Sequence, residues 1–372
     1  YASNEHLLEK YGDRVPVREH EWDNRHFWRV SNAEQLAMSD DVGMINLSHF
    51  AVFDVLGPDA ETLMEYACVA RVGGDTAIGK GVYTHFLDQR GGVRADLTVI
   101  RQAHDRFRVI DGADAGHRDY IWLKRMAEDN DWNVYIDDRS DHMACLGVWG
   151  PNARKTLQAI ADDPAAWEDE NFPFAATRQL TLKGIPVEAF RISYVGEQGW
   201  ELHVAFSYGL SLWDLVYEQG ATPVGIETYA NSRRMEKSLR LQNADLLTEY
   251  NLYEAGLARP VVKQADFHGK APYLKQRELE TQAAYLCTLV MTDNVDSQGV
   301  ARFPVGQLPL MDPETGEVPI DSKGRRSYIT SIAYGPSLGK NIGLAYLPHE
   351  YCQQGRKLVT EYLGEQFPMT VE

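Results

Sequence analysis

The chain contains 372 residues, of which 44% are hydrophobic and 10% aromatic, and this length with this much core material favours two or three domains over one. The formal net charge of −17 argues against nucleic acids and anionic membranes as partners, because both attract basic surfaces. No apolar run is long enough to cross a bilayer and no signal-peptide pattern opens the sequence. We therefore expect a cytoplasmic protein with no membrane partner.

The four cysteines lie far apart in the sequence, at Cys68, Cys145, Cys287 and Cys352, and form no CxxC pair. Such spacing predicts neither a disulfide framework nor a zinc site. The sequence also shows no cluster of His, Cys and carboxylate residues with the short spacings of metal ligands. We therefore expect reduced thiols and no bound metal.

The first 30 residues are polar except for the aromatic segment EWDNRHFW at 21–28. An aromatic cluster in a leading segment either packs onto the body of the protein or lines an entrance, and packing is the more common of the two. We define residues 1–30 as an N-terminal arm.

Two similar strand–turn–helix units follow the arm. The first has an apolar strand at 51–56, the turn Gly57-Pro-Asp-Ala60 and a helical segment, and the second repeats this construction around Gly150-Pro-Asn-Ala153. Glycine turns the chain, proline presets the first helical turn, and Asp or Asn is a common N-cap. The repeat predicts an α+β body with two duplicated halves, forming two subdomains.

Two acidic segments in this body are candidates for chemistry. In GGVRADLTV at 91–99, two glycines allow a close backbone approach and Asp96 begins an apolar strand. In RISYVGEQGWELHV at 191–204, alternation around 196–199 predicts a tight hairpin. Its Glu201 lies near Tyr194 and Trp200, and a carboxylate between aromatic rings suits a flat, nitrogen-rich heterocycle. From the residues alone, solvated acids in an ordinary turn and hairpin remain the alternative.

The pattern changes after the charged segment KQRELETQ at 275–282. A basic helix is predicted within 225–241, before this segment. Short strands separated by Gly, Pro and Asp turns follow the segment, at 283–291, 301–305, 328–334, 342–346 and 358–362. This spacing is typical of a small antiparallel barrel. We therefore divide the chain into the arm, a body at 31–278 and a C-terminal β-barrel domain at 279–372.

Two short motifs are set aside. The segment GDTAIGK at 74–80 has the spacing of a phosphate-binding loop, but Gly81 stands where the magnesium-binding Ser or Thr belongs. The segment GPSLG at 335–339 matches G-x-S-x-G, yet a strand-like segment follows it where a nucleophile elbow needs a helix. The sequence also lacks a dinucleotide-binding glycine fingerprint, so we do not expect this chain to bind FAD or NAD by itself.

Taken in order, several segments resemble the family that contains the glycine-cleavage T-protein and the C-terminal halves of dimethylglycine and sarcosine dehydrogenases. The resemblance rests on both GPxA turns, GGVRADLTV at 91–99, SYVGEQGWELHV at 193–204, NSRRMEK at 231–237 and SIAYGPSLGKNIGLAYL at 331–347. It implies an α+β, three-domain, ring-like fold with a small C-terminal antiparallel β-barrel. Tetrahydrofolate is then expected in a central cavity.

The resemblance also implies roles for particular residues. Asp96 matches the family's catalytic carboxylate, and Glu201 matches the acid that grips the pterin ring. Tyr83 and Tyr194 are expected as ring neighbours, and Trp200 as a further cofactor contact on the hairpin. Arg234 matches an arginine of the family's D-S-x-R-x-E-K helix, either as a cofactor ligand or as part of a structural ion pair.

The chain departs from the T-proteins beside that helix. Ala230 stands where they carry an arginine near the folate, and Asn231 replaces their aspartate. The resemblance therefore specifies the folate's position less fully here than at the hairpin.

The activity that the resemblance implies is tetrahydrofolate-dependent one-carbon transfer from a small methylated substrate. We expect an N-methyl or methylammonium compound as donor and methyl- or methylene-tetrahydrofolate as product. Cation–π contacts suit such a donor, and the aromatic residues predicted to bind it are Trp22, Phe27, Trp28 and Trp149, together with Tyr83. The alternatives are a folate-binding subunit that works with a separate flavoprotein, a sulfonium demethylase of the dimethylsulfoniopropionate type, and a non-catalytic folate-binding regulator.

Overall fold

Residues 4–18 and 26–372 are described by the computed structural model, which consists of three β-sheets with short helices packed around them. Within this part of the chain the strands are β1 (Gly43–Asn46), β2 (Ala51–Leu56), β3 (Gly81–Leu87), β4 (Val93–Ala103), β5 (Arg106–Asp111), β6 (Tyr135–Asp138), β7 (Met143–Trp149), β8 (Thr177–Leu182), β9 (Ile185–Phe190), β10 (Gly199–Ala205), β11 (Thr222–Pro223), β12 (Ala284–Met291), β13 (Leu310–Met311), β14 (Ile329–Gly335), β15 (Lys340–Pro348), β16 (Lys357–Tyr362) and β17 (Glu365–Val371).

The α-helices in the same residues are short, and several 3₁₀ turns and one π-helix accompany them. The α-helices are α1 (Leu7–Tyr11), α2 (Trp28–Asp40), α3 (Ala60–Ala67), α4 (Gly116–Asp129), α5 (Ala153–Gln158), α6 (Gly209–Tyr217) and α7 (Lys270–Arg277). The 3₁₀ turns are Gly12–Arg14, Ser140–His142, Pro164–Trp167, Phe206–Tyr208 and His349–Tyr351, and the π-helix is Glu227–Arg233. None of these helices combines the length and the apolar character needed to cross a bilayer.

The strands divide into two sheets in the body and one at the carboxyl end. The first sheet has the order β3-β4-β5-β2-β6, and the second has the order β11-β1-β7-β10-β9-β8. The third has the order β13-β16-β17-β12-β15-β14, with antiparallel pairing throughout. The predicted α+β class and the C-terminal antiparallel barrel-type sheet are confirmed. The division at residues 30 and 278 remains a prediction.

The two predicted strand–turn–helix units are present, one in each body sheet. Gly57 and Gly150 have φ values of +126° and +139°, and a Cβ on Gly150 would lie 2.2 Å from the carbonyl oxygen of Asp41. Capping by the side chains is not observed, because neither the Asp59 nor the Asn152 side chain bonds its own helix. Instead the carboxylate of Asp59 accepts from the Asn133 N–H at 2.8 Å, and the Asn152 side-chain amide donates to Asp41 Oδ1 at 2.8 Å. Each cap residue therefore ties its turn to a neighbouring segment.

A buried ion-pair network joins the two body sheets. Arg108 of β5 lies 2.8 Å from Asp54 of β2 within the first sheet and also pairs with Glu188 of β9 in the second. Gln102 donates to the same Glu188 at 2.9 Å. Because a buried charge without its partner costs several kcal/mol, this network fixes the relative position of the two sheets. The inner strands β4 and β10 carry the acids that the sequence singled out.

Two further element predictions differ from the structure. The basic helix predicted at 225–241 is a π-helix over Glu227–Arg233 that ends in turns, and Ser238 has a φ of +52° that no α-helix accommodates. In the third sheet, the predicted strand at 301–305 is not a strand, whereas the final strand β17 was not predicted. Proline at 368 interrupts the apolar alternation of β17, and this hid the strand from the pattern.

Candidate functional site

The Gly-Gly turn before β4 docks β4 against a distant segment. A Cβ on Gly92 would lie 2.0 Å from the carbonyl oxygen of Thr248, so only glycine allows this approach. Gln242 then holds the strand itself, because its Oε1 accepts from the Asp96 N–H at 3.1 Å and its amide donates to the Arg94 carbonyl at 2.8 Å. The backbone at Asp96 is therefore fixed by contacts that lie far away in sequence.

Asp96 itself is partly accessible and accepts a hydrogen bond from the Tyr83 hydroxyl at 3.0 Å. Burial by the surrounding protein raises the pKa of the Asp96 carboxyl to about 6, while the bond from Tyr83 acts in the opposite direction. In the described part of the chain no Lys or Arg forms an ion pair with this carboxylate. Near neutral pH Asp96 is therefore mostly ionised and still able to take up and release a proton.

Tyr83 borders the partly solvent-open space in front of Asp96, which we call the recess. Its side chain is 39% exposed, yet burial by surrounding protein and the charge of Asp96 together hold its hydroxyl pKa well above the usual value. A group that solvent reaches while protein surrounds it fits the wall of an open cavity. Behind it, Arg259 donates to the Tyr83 carbonyl and fixes the backbone.

The second acid, Glu201, lies on β10, which pairs with β7 and β9. The Glu201 side chain is nearly buried, and its side-chain hydrogen-bond partner within the described residues is His203, with Nε2 at 3.4 Å from Oε2. Cys145 of β7 lies opposite, with Sγ at 3.8 Å from the same nitrogen. This arrangement leaves carboxylate lone pairs of Glu201 available to an incoming N–H donor.

Two tyrosines lie between the acids. Tyr194 and Tyr229 have ring centroids 5.2 Å apart, and Trp149 stacks behind Tyr229 at 5.7 Å. Burial raises the hydroxyl pKa of both tyrosines, and the charge of Asp96 raises both further. The charge of Glu201 also raises the pKa of the Tyr229 hydroxyl. The structure therefore brings both acids, from different sheets, to one aromatic region.

The hairpin differs from its predicted form. Residues 191–198 form no strand, and the hairpin consists of β9 and β10 with this stretch as a long connection. Within 191–195 only Val195 is buried, so the sequence alternation there does not correspond to two faces of a strand. Within the connection, the Ile192 carbonyl accepts from the Trp149 indole at 2.8 Å, and the Tyr194 hydroxyl donates to the Arg240 carbonyl at 2.6 Å.

The prediction that Trp200 contacts the cofactor is wrong. Trp200 is 0% exposed and packs in the hydrophobic core, with its ring 5.4 Å from Trp167 and 5.9 Å from Phe172. Neighbouring residues of a strand point to opposite faces. The same β10 that turns Glu201 toward the recess therefore turns Trp200 away from it.

Arg234 is also corrected, because the structure favours the ion-pair alternative. Arg234 is 1% exposed, with Nη1 at 2.9 Å from Asp245 Oδ2 and Nη2 donating to Ser331 Oγ at 2.9 Å. Its Nε donates to the carbonyl of Ala230, so each guanidinium nitrogen has a partner within the protein. Arg234 therefore joins the π-helix region to β14 of the third sheet and is not available to a cofactor.

Among the described residues, Trp28 and Trp149, two of the aromatic residues predicted to bind a cationic donor, lie in different places. Trp22 lies outside the described residues, Phe27 precedes α2, and Trp149 is fully buried behind Tyr229. The Trp28 ring lies 4.7 Å from Phe303 in a cavity of about 300 Å³ between α2 and the third sheet. The Arg18 guanidinium already lies 3.8 Å from the Trp28 ring. Asp96 and Glu201 do not line this cavity, so Trp28 does not share a cavity with the two acids.

Sequence reasoning missed His85, His203, Tyr229 and Gln242. The two histidines carried a usable signal, since each lies two residues along a strand from a predicted site residue and so shares its face. Cys145, Glu201 and His203 have ligand atoms within 4.8 Å of one another and so have the composition of a metal site. However, His203 Nδ1 has no hydrogen-bond partner among the described residues, whereas a metal-bound histidine usually donates its other ring N–H to a carboxylate, a carbonyl or water. The absence of a metal remains a prediction.

These observations define a class of protein: an α+β body with an antiparallel C-terminal sheet, whose two halves each contribute one inner acid to a shared aromatic recess. The chain matches the GCVT N-terminal domain over residues 7–265 and the glycine cleavage T-protein C-terminal barrel domain over residues 309–372. It therefore belongs to the glycine-cleavage T-protein family. The aminomethyltransferases of this family are transferases that use tetrahydrofolate as cosubstrate.

Individual relatives agree with this assignment. Mitochondrial dimethylglycine dehydrogenase of Rattus norvegicus is 30% identical over 352 residues, which cover 93% of this chain but only 38% of that protein. An aminomethyltransferase of Burkholderia multivorans is 28% identical over 341 residues, covering 91% of this chain and 86% of that protein. The crystal structure of the glycine cleavage system aminomethyltransferase T from Bartonella henselae superposes with a TM-score of 0.77 at 22% identity, over 91% of this chain and 87% of that one. This last match supports the fold.

Proposed function

We propose that this chain transfers a one-carbon unit from a small N-methyl or methylammonium compound to tetrahydrofolate. One observation carries the proposal: Asp96 is an accessible carboxylate without a cation partner among the described residues, with a pKa raised to about 6 by burial. Tyr83 donates to it at 3.0 Å. An acid whose pKa lies close to neutral pH suits proton transfer at the reacting nitrogen.

The residues present fit a folate ring system. Glu201 has free acceptor positions for the paired N–H groups of a pterin, and charge-assisted bonds of this kind are about twice as strong as neutral ones. The neighbouring rings of Tyr194 and Tyr229 can pack against one face of the pterin, although the Tyr194 hydroxyl is already bonded to the Arg240 carbonyl. Ala230 packs beside these rings and supplies no cation where T-proteins carry arginine. Recognition in this chain would therefore depend strongly on Glu201.

Tetrahydrofolate would supply a nucleophilic ring nitrogen that bears one proton. Asp96 then has two tasks in this proposal. Its negative charge favours the positive charge on the one-carbon donor, and its carboxylate accepts the proton that the nitrogen loses when the new bond to carbon forms. The electron pair of the broken donor bond stays with the leaving amine, which can take that proton from Asp96. Positioning of the two reactants supplies most of the remaining acceleration.

The class of donor is supported by the relatives. A dimethylglycine dehydrogenase matches 93% of the length of this chain, and this favours a methylated amine as donor. The chain spans only 38% of that relative. A second candidate, suggested by the relative being a dehydrogenase, is a folate-binding unit that acts with a flavoprotein. In that case the flavoprotein would oxidise the N-methyl group before the carbon is captured here.

A proton NMR assay tests the proposal directly. Purified protein and tetrahydrofolate are incubated, without any flavoprotein, with glycine betaine, dimethylglycine, sarcosine, dimethylsulfoniopropionate and related trimethylammonium compounds. We expect a new N-methyl folate signal with one methylammonium donor. If no donor reacts but calorimetry shows folate binding, addition of a flavoprotein dehydrogenase separates the second candidate from a non-catalytic binder. Failure to bind folate would refute both.

Replacing Glu201 by glutamine should weaken tetrahydrofolate binding about 10- to 100-fold, the usual value of hydrogen bonds to a charged group. The amide keeps the size of the side chain but loses the charge and one acceptor. Isothermal titration calorimetry measures the change, and Glu218→Gln on the exposed end of α6 is the matched control. Unchanged affinity in Glu201→Gln would mean that the pterin does not contact Glu201.

A further inference from the structure

His85 is a buried histidine beside the proposed acid. In the β3–β4 pairing His85 lies directly opposite Asp96, so both side chains leave the sheet on the same face. The imidazole is 1% exposed, and its Nε2 lies 3.3 Å from the Tyr83 hydroxyl. The two rings meet edge to face, with centroids 4.9 Å apart. His85, Tyr83 and Asp96 therefore form a short hydrogen-bonded chain.

The direction of the hydrogen bonds in this chain follows from the number of protons. An ionised Asp96 can only accept, so the single hydroxyl proton of Tyr83 points to Asp96. The bond between His85 and Tyr83 then requires the proton on Nε2. Burial lowers the pKa of His85 to about 3, which keeps the ring neutral. Its Nδ1 has no partner in the described residues, as suits a lone pair better than an N–H.

We propose that His85 is a positioning residue for one-carbon transfer: its Nε2–H fixes the Tyr83 hydroxyl so that the hydroxyl keeps donating its proton to Asp96. Without that donor, the hydroxyl is free to rotate toward water or substrate, and Asp96 loses a hydrogen bond that stabilises its charged form. His85 touches neither reactant in this proposal and acts through Tyr83. The reaction-related part of the inference rests on the proposed function, whereas the hydrogen-bonded chain itself does not.

Several charged groups surround the hydrogen-bonded chain of His85, Tyr83 and Asp96, and they must be left unchanged in any test. Arg259 lowers the pKa of His85, and Asp114 and Asp245 raise that of Asp96, in each case less than burial does. Tyr194 raises and Arg240 lowers the pKa of Tyr83. Asp111 is also close, since the charge of Asp96 raises the pKa of Asp111. None of these groups is altered in the variants below.

A double-mutant cycle on the Asp96 pKa tests the proposal without any substrate. Carbon-13 NMR of carboxyl-labelled aspartate follows Asp96, and the resonance is assigned by its loss in Asp96→Asn. We expect the pKa to rise in Tyr83→Phe and in His85→Leu, because each removes the fixed bond to the charged carboxylate. The double variant should show no further rise beyond Tyr83→Phe. His85→Gln, which keeps an N–H donor, should recover part of the wild-type value.

Kinetics provide the second readout. In His85→Leu, kcat should fall about three- to tenfold, the value of one ordinary hydrogen bond, while KM for tetrahydrofolate stays nearly constant. An unchanged Asp96 pKa in His85→Leu, or fully additive effects in the cycle, would overturn the proposal. If His85→Leu does not fold, His85→Gln and Tyr83→Phe still test the coupling. A wild-type protein without transferase activity would refute the proposed function yet leave the NMR cycle valid.

Discussion

Replacing Asp96 by asparagine is expected to lower kcat/KM for one-carbon transfer about 1000-fold, within the usual range for loss of a general acid–base group. The amide keeps the shape of the side chain but can neither carry the negative charge nor take up the proton. Tetrahydrofolate affinity should change little, because recognition of the pterin is assigned to Glu201. Stopped-flow or NMR rates combined with calorimetry measure the two quantities separately.

The same variant has a defined effect on stability. Burial raises the pKa of Asp96 from 3.8 to about 6, so the folded protein binds this proton more tightly than the unfolded chain does. The resulting loss of stability begins as pH rises through about 4 and is complete above about 6. Asp96→Asn should therefore melt at the same or a higher temperature than the wild type at pH 7.5. Asp105→Asn, on the exposed β4–β5 turn, is the matched control. Full activity in Asp96→Asn would remove Asp96 from the mechanism, whereas lost folate affinity would make it a binding residue.

Replacing Arg234 by methionine is expected to destabilise the protein by about 3–5 kcal/mol, because Asp245 is left as a buried charge without its partner. The Asp245 side chain is fully buried, and it also accepts from Thr330 of the third sheet. Loss of Arg234 therefore weakens the attachment of that sheet to the body. Urea denaturation followed by fluorescence measures the change.

The control for this prediction is an arginine whose ion pair is exposed. Arg71 pairs with Asp75 at 2.8 Å on the surface, and Arg71→Met should leave the unfolding midpoint essentially unchanged because solvent screens such pairs. If Arg234→Met unfolds at the wild-type urea concentration but fails to bind tetrahydrofolate, Arg234 is a ligand-binding residue after all. A protein that is destabilised yet binds folate normally when folded would agree with the structural role.

Short sequence patterns were enough to predict the turns, the helix starts and the strand that carries Asp96, because these depend on residues close together in the chain. The glycines at 57 and 150 adopt positive φ, and each following helix starts directly after the predicted Asp or Asn. The Gly-Gly turn and the apolar alternation after it likewise place Asp96 at the mouth of β4. These features were predictable because turn and strand preferences act within a few residues. Together with their order along the chain, they sufficed to indicate the family.

What the sequence by itself determined, then, is the family, the α+β body with its antiparallel C-terminal sheet, and the acid Asp96 within its motif. Tertiary structure alone decided which side chains meet. It buried Trp200 and Arg234, paired His85 with Asp96 across two strands, and brought Glu201 from the other sheet to the same tyrosines. The physical reason is that strand register and burial depend on contacts between distant segments, and a register shift of one residue reverses every side chain.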